Sequence, residues 1–148
     1  MKSGANNFYW IAALSVINSL VLQFGGSTFF VVGMAATLVV DFIFVGLAES
    51  VPDAALVMRV IGVFASVFIS GVVALFGLFA NRGQRWAFIV GIAAYAIDSL
   101  LMLALREWMG LLFHGLFLFG LYAGLRALNE LAKAAPQKAV DFPMDIGM

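Results

Sequence analysis

The sequence predicts an all-α protein, a polytopic transmembrane bundle of five helices. Two observations carry that expectation. Of the 148 residues, 64% are hydrophobic and 11% charged, against roughly 45–50% and about 25% in a soluble domain. A chain of this size has too little interior to hide so much apolar surface from water, so lipid must solvate most of it. The apolar residues also fall into runs of span length, about 17–25 residues, divided by clusters of Gly, Pro and Arg.

The first run is Phe8–Phe24, which "GGS" ends, since Gly relaxes the backbone and favours a turn. Lys2, this run and the small Gly25 and Ser27 also have the outline of a cleavable signal; the run is counted as a helix. The second run, Thr28–Leu47, cannot join the first, because together they would extend about 60 Å, twice the hydrocarbon thickness. "AESVPDAA" closes it, with Pro52 disfavouring helix just before itself. The third run, Ala54–Ala80, is long enough to tilt. "NRGQR" separates it from the fourth, Trp86–Leu105, and "REWMG" separates that from the fifth, Leu111–Leu131. Residues 1–131 form one membrane domain. The tail, 132–148, carries Pro136 and Pro143 and is expected to be a surface or extended cytoplasmic segment.

Composition excludes several function classes. Eight basic residues balance eight acidic ones, so no basic stripe offers nucleic acid a surface. The absence of Cys excludes disulfides, thiolate metal sites and iron–sulfur clusters. One His cannot make a bis-His haem within a single chain. No cofactor is expected. No Gly-x-Ser-x-Gly elbow is present, and the expectation is a protein without enzymatic activity.

Orientation follows from Lys and Arg beside the spans. Arg82 and Arg85, with Arg126, Lys133 and Lys138, lie on one side, taken as the cytoplasm. Five crossings then put the N-terminus outside, although Lys2 argues the other way. The alternative is four crossings with a re-entrant or interfacial first helix and the N-terminus inside. Tyr9, Trp10, Trp86 and Trp108 stand at run ends, as an aromatic belt would.

In lipid, small and polar residues hold helices together. Gly62, Ser66, Ser70 and Ala74 form one row at four-residue spacing, and Gly120–Gly124 another. Gly33, Thr37 and Asp41 share a face, as do Ser15, Ser19 and Gln23. These rows suit packing within the bundle or docking on a second copy or another membrane protein.

The ionisable residues inside the runs are the functional candidates. An Asp at a helix centre costs on the order of 3 kcal/mol, so Asp41 and Asp98 should face the bundle interior, a cation or water. Each lies about 4–5 Å past the centre of its run at the helical rise, which predicts a shared depth. Arg59 and His114 lean to the same side, and Asn18 and Tyr95 are near enough to join. A locked polar knot would have Arg59 neutralise one Asp while Asn18, Tyr95 or Ser99 bonds the other. A wet site would use the carboxylates for a proton, a cation or a small polar ligand. A third reading is a metal held by Asp41, Asp98 and His114.

Three stretches belong together: "FYWIAALSVINSLVLQFGGSTFFVVGMAAT" followed by the Asp41 turn, "GLFANRGQRWAFIVGIAAYAIDSLL" and "FHGLFLFGLYAGLRALN". They resemble a group of small, uncharacterised bacterial integral membrane proteins. The resemblance covers most of Phe8–Asn129 and matches Asn18, Asp41, Trp86, Asp98 and His114. It implies a bacterial inner-membrane protein and no particular activity. The expected function is a small bundle whose polar cluster binds or conducts a proton, cation or small polar ligand, as an oligomer. The competing expectation is an accessory membrane subunit in which the same residues only fix packing.

Overall fold

The computed structural model describes residues 1–26 and 33–140, with only the backbone of 135–140. Among these residues there are five α-helices and no strand, as the sequence predicts: α1 (Lys2–Gln23), α2 (Ala35–Ser50), α3 (Ala55–Asn81), α4 (Arg85–Ala104) and α5 (Trp108–Val140). One 3₁₀ turn, Pro52–Ala54, leads into α3. Four stretches are long and apolar enough to cross a membrane: α1, the turn with α3, α4, and Trp108–Ala134 of α5. The chain is an integral membrane protein. Large side chains bared on the helices, Phe64 at 71%, Phe68 at 75% and Phe119 at 74% exposure, fit a surface solvated by lipid.

The remaining helix, α2, is different. Its 16 residues extend about 24 Å, short of a hydrocarbon core of about 30 Å. The first part of the predicted second run, residues 28–32, lies outside the described residues. Helix directions show what α2 does. α1 and α3 are antiparallel: Asn81 hydrogen-bonds Asn6 at one end, and the Arg59 guanidinium donates to the Gln23 carbonyl at the other. α1 and α5 are antiparallel too, with Gly4 against Gly124 and Asn7 against Gly120. Nothing between α1 and α3 therefore completes a crossing.

Instead, α2 runs alongside α1 in the same direction. The Met34 N–H donates to Ser15 Oγ at 2.8 Å, halfway along α1, and Asp41 pairs with Ser19 and Gln23 further on. The chain leaves α1 at Gln23 and is back beside Ser15 at Met34, about 12 Å deeper by the helical rise. This is a re-entrant segment. The expected five crossings are thus corrected to four, with the start of α1 and the end of α5 on one face. The re-entrant element is the second helix, not the first: the polar row of α1 pairs with α2 and holds it inside the bundle, while α1 itself has full length.

Lys2, Arg82, Arg85, Arg126 and Lys133 gather at the face of the termini, here the basic end. Glu49, Asp53, Arg106 and Glu107 mark the opposite face, here the α2 end.

Three helices close with the same cap. Residues in left-handed backbone (Gly25 at φ 88°, Gly83 at φ 78°, Arg106 at φ 59°) are each followed by an N–H that reaches five residues back: Gly26 to Val21, Gln84 to Phe79 and Glu107 to Met102. This is the Schellman arrangement, which satisfies otherwise orphaned carbonyls. It places the turns where the sequence predicts breaks.

The apolar core lies toward the basic end. Phe8 packs on Phe76 and Phe88 at centroid distances of 6.2 and 6.1 Å. α1 reaches α5 there because both backbones are bare: a Cβ on Gly124 would sit 2.8 Å from Gly4 Cα. Gly77 gives α1 similar access to α3, facing Phe8 and Tyr9. Two boundaries differ from expectation. α1 begins at Lys2, which moves Tyr9 and Trp10 about two turns inside the helix, away from a belt position. α5 continues to Val140 where the sequence predicts a surface or extended tail from Ala132; "LAKAA" consists of strong helix formers and carries the last turn onward.

Candidate functional site: a polar core around the re-entrant helix

Because α2 starts inside the bundle, its first N–H groups have neither water nor a preceding turn to satisfy them. Met34, its N-cap, offers no side-chain bond. The partner comes from α4. Asp98 Oδ2 accepts from the Ala35 N–H at 2.9 Å and Oδ1 from the Ala36 N–H at 2.8 Å. Asp98 is thus an N-cap supplied from another helix, with its charge at the positive end of the α2 dipole.

α5 completes this first centre. His114, fully buried, places Nε2 2.9 Å from Asp98 Oδ2 and Nδ1 2.8 Å from the Gly110 carbonyl. A carbonyl only accepts, so Nδ1 carries a hydrogen. Two backbone donors and the positive end of the helix dipole complement the Asp98 carboxyl group. The Tyr95 ring stacks on His114 at 4.4 Å and 9°, a face suited to a cation. Both carboxylate oxygens of Asp98 are satisfied, and α2, α4 and α5 are tied together.

The second centre joins α1, α2 and α3 around Asp41, which is wholly buried. Its Oδ1 accepts from Ser19 Oγ at 2.7 Å, Ser66 Oγ at 3.0 Å and Gln23 Nε2 at 3.1 Å. Gln23 Nε2 also lies 3.3 Å from the Asp41 carbonyl. Among the described residues Asp41 Oδ2 has no hydrogen-bond partner, and neither has Gln23 Oε1 on the neighbouring side chain. Gly62 makes the room: a Cβ there would lie 3.0 Å from Gln23 Cδ and 2.8 Å from Phe44 Cβ.

The expected residues are therefore divided between two centres. Asp98, His114 and Tyr95 meet in one and Asp41 stands in the other. The shared depth of the carboxylates is corrected: Asp98 caps Ala35 while Asp41 lies six residues along α2, about 9 Å further toward the α2 end. The prediction failed because it centred α2 in the membrane as a full span. Arg59 neutralises neither Asp; among the described residues its guanidinium goes to the last carbonyl of α1, where a cation complements the helix dipole. The Tyr95 hydroxyl has no partner among the described residues, and Ser99 bonds the Ala96 carbonyl of its own helix, so neither serves an Asp. Asn18 is buried beside Gly33, where a Cβ would come within 2.9 Å of its Nδ2. Asp41, Asp98 and His114 do not converge, and the described residues contain no group of three or more His, Cys, Asp or Glu able to hold a metal.

The small-residue rows are used within the chain. Gly62 and Ser66 face Gln23 and Asp41, Ser70 is buried, and Ala74 lines the α1–α3 groove. Gly120 and Gly124 receive α1, Gly33 receives Asn18, and Thr37 Oγ1 bonds the Met34 carbonyl. Sequence reasoning placed Ser19, Gln23 and Ser66 in packing rows without assigning them to Asp41. The signal was the Ser15–Ser19–Gln23 row, too polar for a helix packed only against apolar neighbours.

No family model, curated protein or solved structure matches the chain.

Proposed function

We propose that this integral membrane protein binds a single positive charge, a proton or a monovalent cation, at Asp41. The observation that supports this is the lopsided bonding of one buried carboxyl: three donors on Oδ1 and none among the described residues on Oδ2. A buried acceptor without a donor costs about 1–3 kcal/mol, more when charged. A proton or cation on Oδ2, with Gln23 Oε1 as the neighbouring acceptor, would remove that cost. Intramembrane carboxylates commonly mark such sites, and half-helices that start inside a membrane recur where ions are bound.

The basic end is read as cytoplasmic by the positive-inside rule, in a bacterial cytoplasmic membrane. Lys2, which conflicts with a five-crossing layout, agrees with four crossings. The Asp41 centre, wholly buried, then lies toward the outer face, and exchange of the bound charge would be from that side.

A second reading has its own support. Asp98 is fully bonded and ties three helices, so at that centre a purely structural role suffices. If Asp41 did the same, the protein would be an accessory subunit with two knots. Thermal melts in detergent separate the readings. Binding predicts a wild-type melting temperature that rises with a small cation or shifts with pH, by mass action, and an Asp41→Asn protein in which the cation response is gone and the pH response is smaller. A wild type whose responses match the variant's, with the variant simply less stable, would leave only the structural reading.

A further inference from the structure

At the basic end, α4 and α5 diverge around an open pocket of about 340 Å³, within the range of small-ligand sites, about 300–1,000 Å³. Arg85, from the first turn of α4, and Arg126 and Lys133, from α5, line it with Tyr122, Asn129 and Glu130. Glu130 is engaged by Lys133 at 3.3 Å. Among the described residues neither arginine is in an ion pair. Two unneutralised guanidiniums on one cavity call for an anion with several oxygens, since the guanidinium fork matches phosphate.

The surroundings say which phosphate. Trp86, next to Arg85, and Tyr122 are both about half exposed, as aromatic residues are at headgroup level. One and two turns deeper along α5, Phe119 and Leu116 are bare, and on α4 Ile89 is bare. The charged pocket thus continues into an apolar track of the kind an acyl chain lies on. Soluble phosphate would use the pocket but not the track.

We propose that this pocket binds the headgroup of an anionic phospholipid, with Arg85 and Arg126 on the phosphate and Asn129 beside the headgroup hydroxyls. The site is separate from Asp41 and stands or falls apart from it. Basic pockets between helices at this level are suited to such lipids.

Native mass spectrometry of the full chain in detergent, with phosphatidylglycerol and phosphatidylcholine as competing probes, tests it. The expected result is one retained phosphatidylglycerol, preferred roughly tenfold or more over phosphatidylcholine. Arg85→Gln/Arg126→Gln should abolish the preference. Arg126→Gln alone should weaken it about fivefold, which keeps the test alive if the double variant does not fold. Lys2→Gln, at the same end but outside the pocket, should leave it intact. A preference that survives the double variant, or that Lys2→Gln reduces equally, overturns the proposal. Displacement of the lipid by inorganic phosphate overturns the lipid as the source.

Discussion

Replacing Asp98 with Asn should release the re-entrant helix. Asn keeps the shape but carries one acceptor oxygen and one NH₂ group. The Ala35 and Ala36 N–H groups point at separate carboxylate oxygens, at 2.9 and 2.8 Å. However the amide sits, its nitrogen faces one of these donors, so one N–H is left buried and unpaired, at about 1–3 kcal/mol. His114 also loses its carboxylate partner, and breaking a buried pair from one side costs about 3–5 kcal/mol. The two figures overlap, because both count the lost carboxylate, so the expected loss is about 3–5 kcal/mol in total. Equilibrium unfolding of the purified protein in mixed micelles would measure it. Since the chain has no native thiol, Met34→Cys provides a second readout. Buried at the start of α2, the new thiol should resist labelling while Asp98 is in place and react once Asp98→Asn is added. The total loss in the Asp98→Asn/His114→Asn double variant should fall short of the sum of the single losses by about 1–3 kcal/mol, as for groups sharing one network. A loss under about 1 kcal/mol, with Met34→Cys still protected, would refute the capping argument.

The helix directions predict that Cys placed at Ser3 and at Ala134 is labelled from the same side of the membrane, and Cys at Ser50 only from the other; Ser3 and Ala134 on opposite sides would restore an odd number of crossings. Gly124→Val should unseat α1 from α5, because even a Cβ meets the Gly4 backbone at 2.8 Å; overpacking of about 1–3 kcal/mol should appear as a lower unfolding midpoint. Gly71→Ala, where nothing lies within 4 Å of the added Cβ, should instead gain up to about 1 kcal/mol of helix propensity by the same measurement. Arg106→Gly should raise stability by about 0.5–1 kcal/mol, since Arg106 holds a left-handed cap at φ 59° that Gly adopts without strain; a decrease would show that the arginine side chain matters more than its backbone.

The bundle was legible because hydropathy and breaks are local. Gly25, Gly83 and the "REWMG" turn stand where the chain ends its helices, and each end follows from a few adjacent residues. The path of α2 was not legible, because an apolar run of about 20 residues reads alike whether it spans or re-enters. What distinguishes the two is pairing at a distance: the Met34 N–H on Ser15, and Ala35 and Ala36 on Asp98, contacts 19 to 63 residues apart in the chain. A weak local hint was present in Lys2, whose charge disagreed with the five-crossing orientation and agrees with four. The candidate site fared similarly. Asp41, Asp98 and His114 could be singled out because ionisable groups are costly in hydrocarbon. Their grouping depended on the same α2 path, so the expected single cluster became two.

The division bears on why a carboxylate stands at residue 41 at all. At Asp98 the carboxylate has a structural use that an amide cannot supply, since two N–H donors need two acceptor oxygens. At Asp41 the three donors all converge on Oδ1, and the carbonyl oxygen of an Asn could face the same donors without the expense of desolvating a carboxylate. Holding α1, α2 and α3 in register therefore does not account for the second oxygen. On the proposed function, that oxygen is the one that takes a positive charge, in a place where water does not compete. Asp41→Asn should preserve the bonds and remove that oxygen. The variant should keep the fold and lose the response to cations; a variant that unfolds would return Asp41 to a structural role.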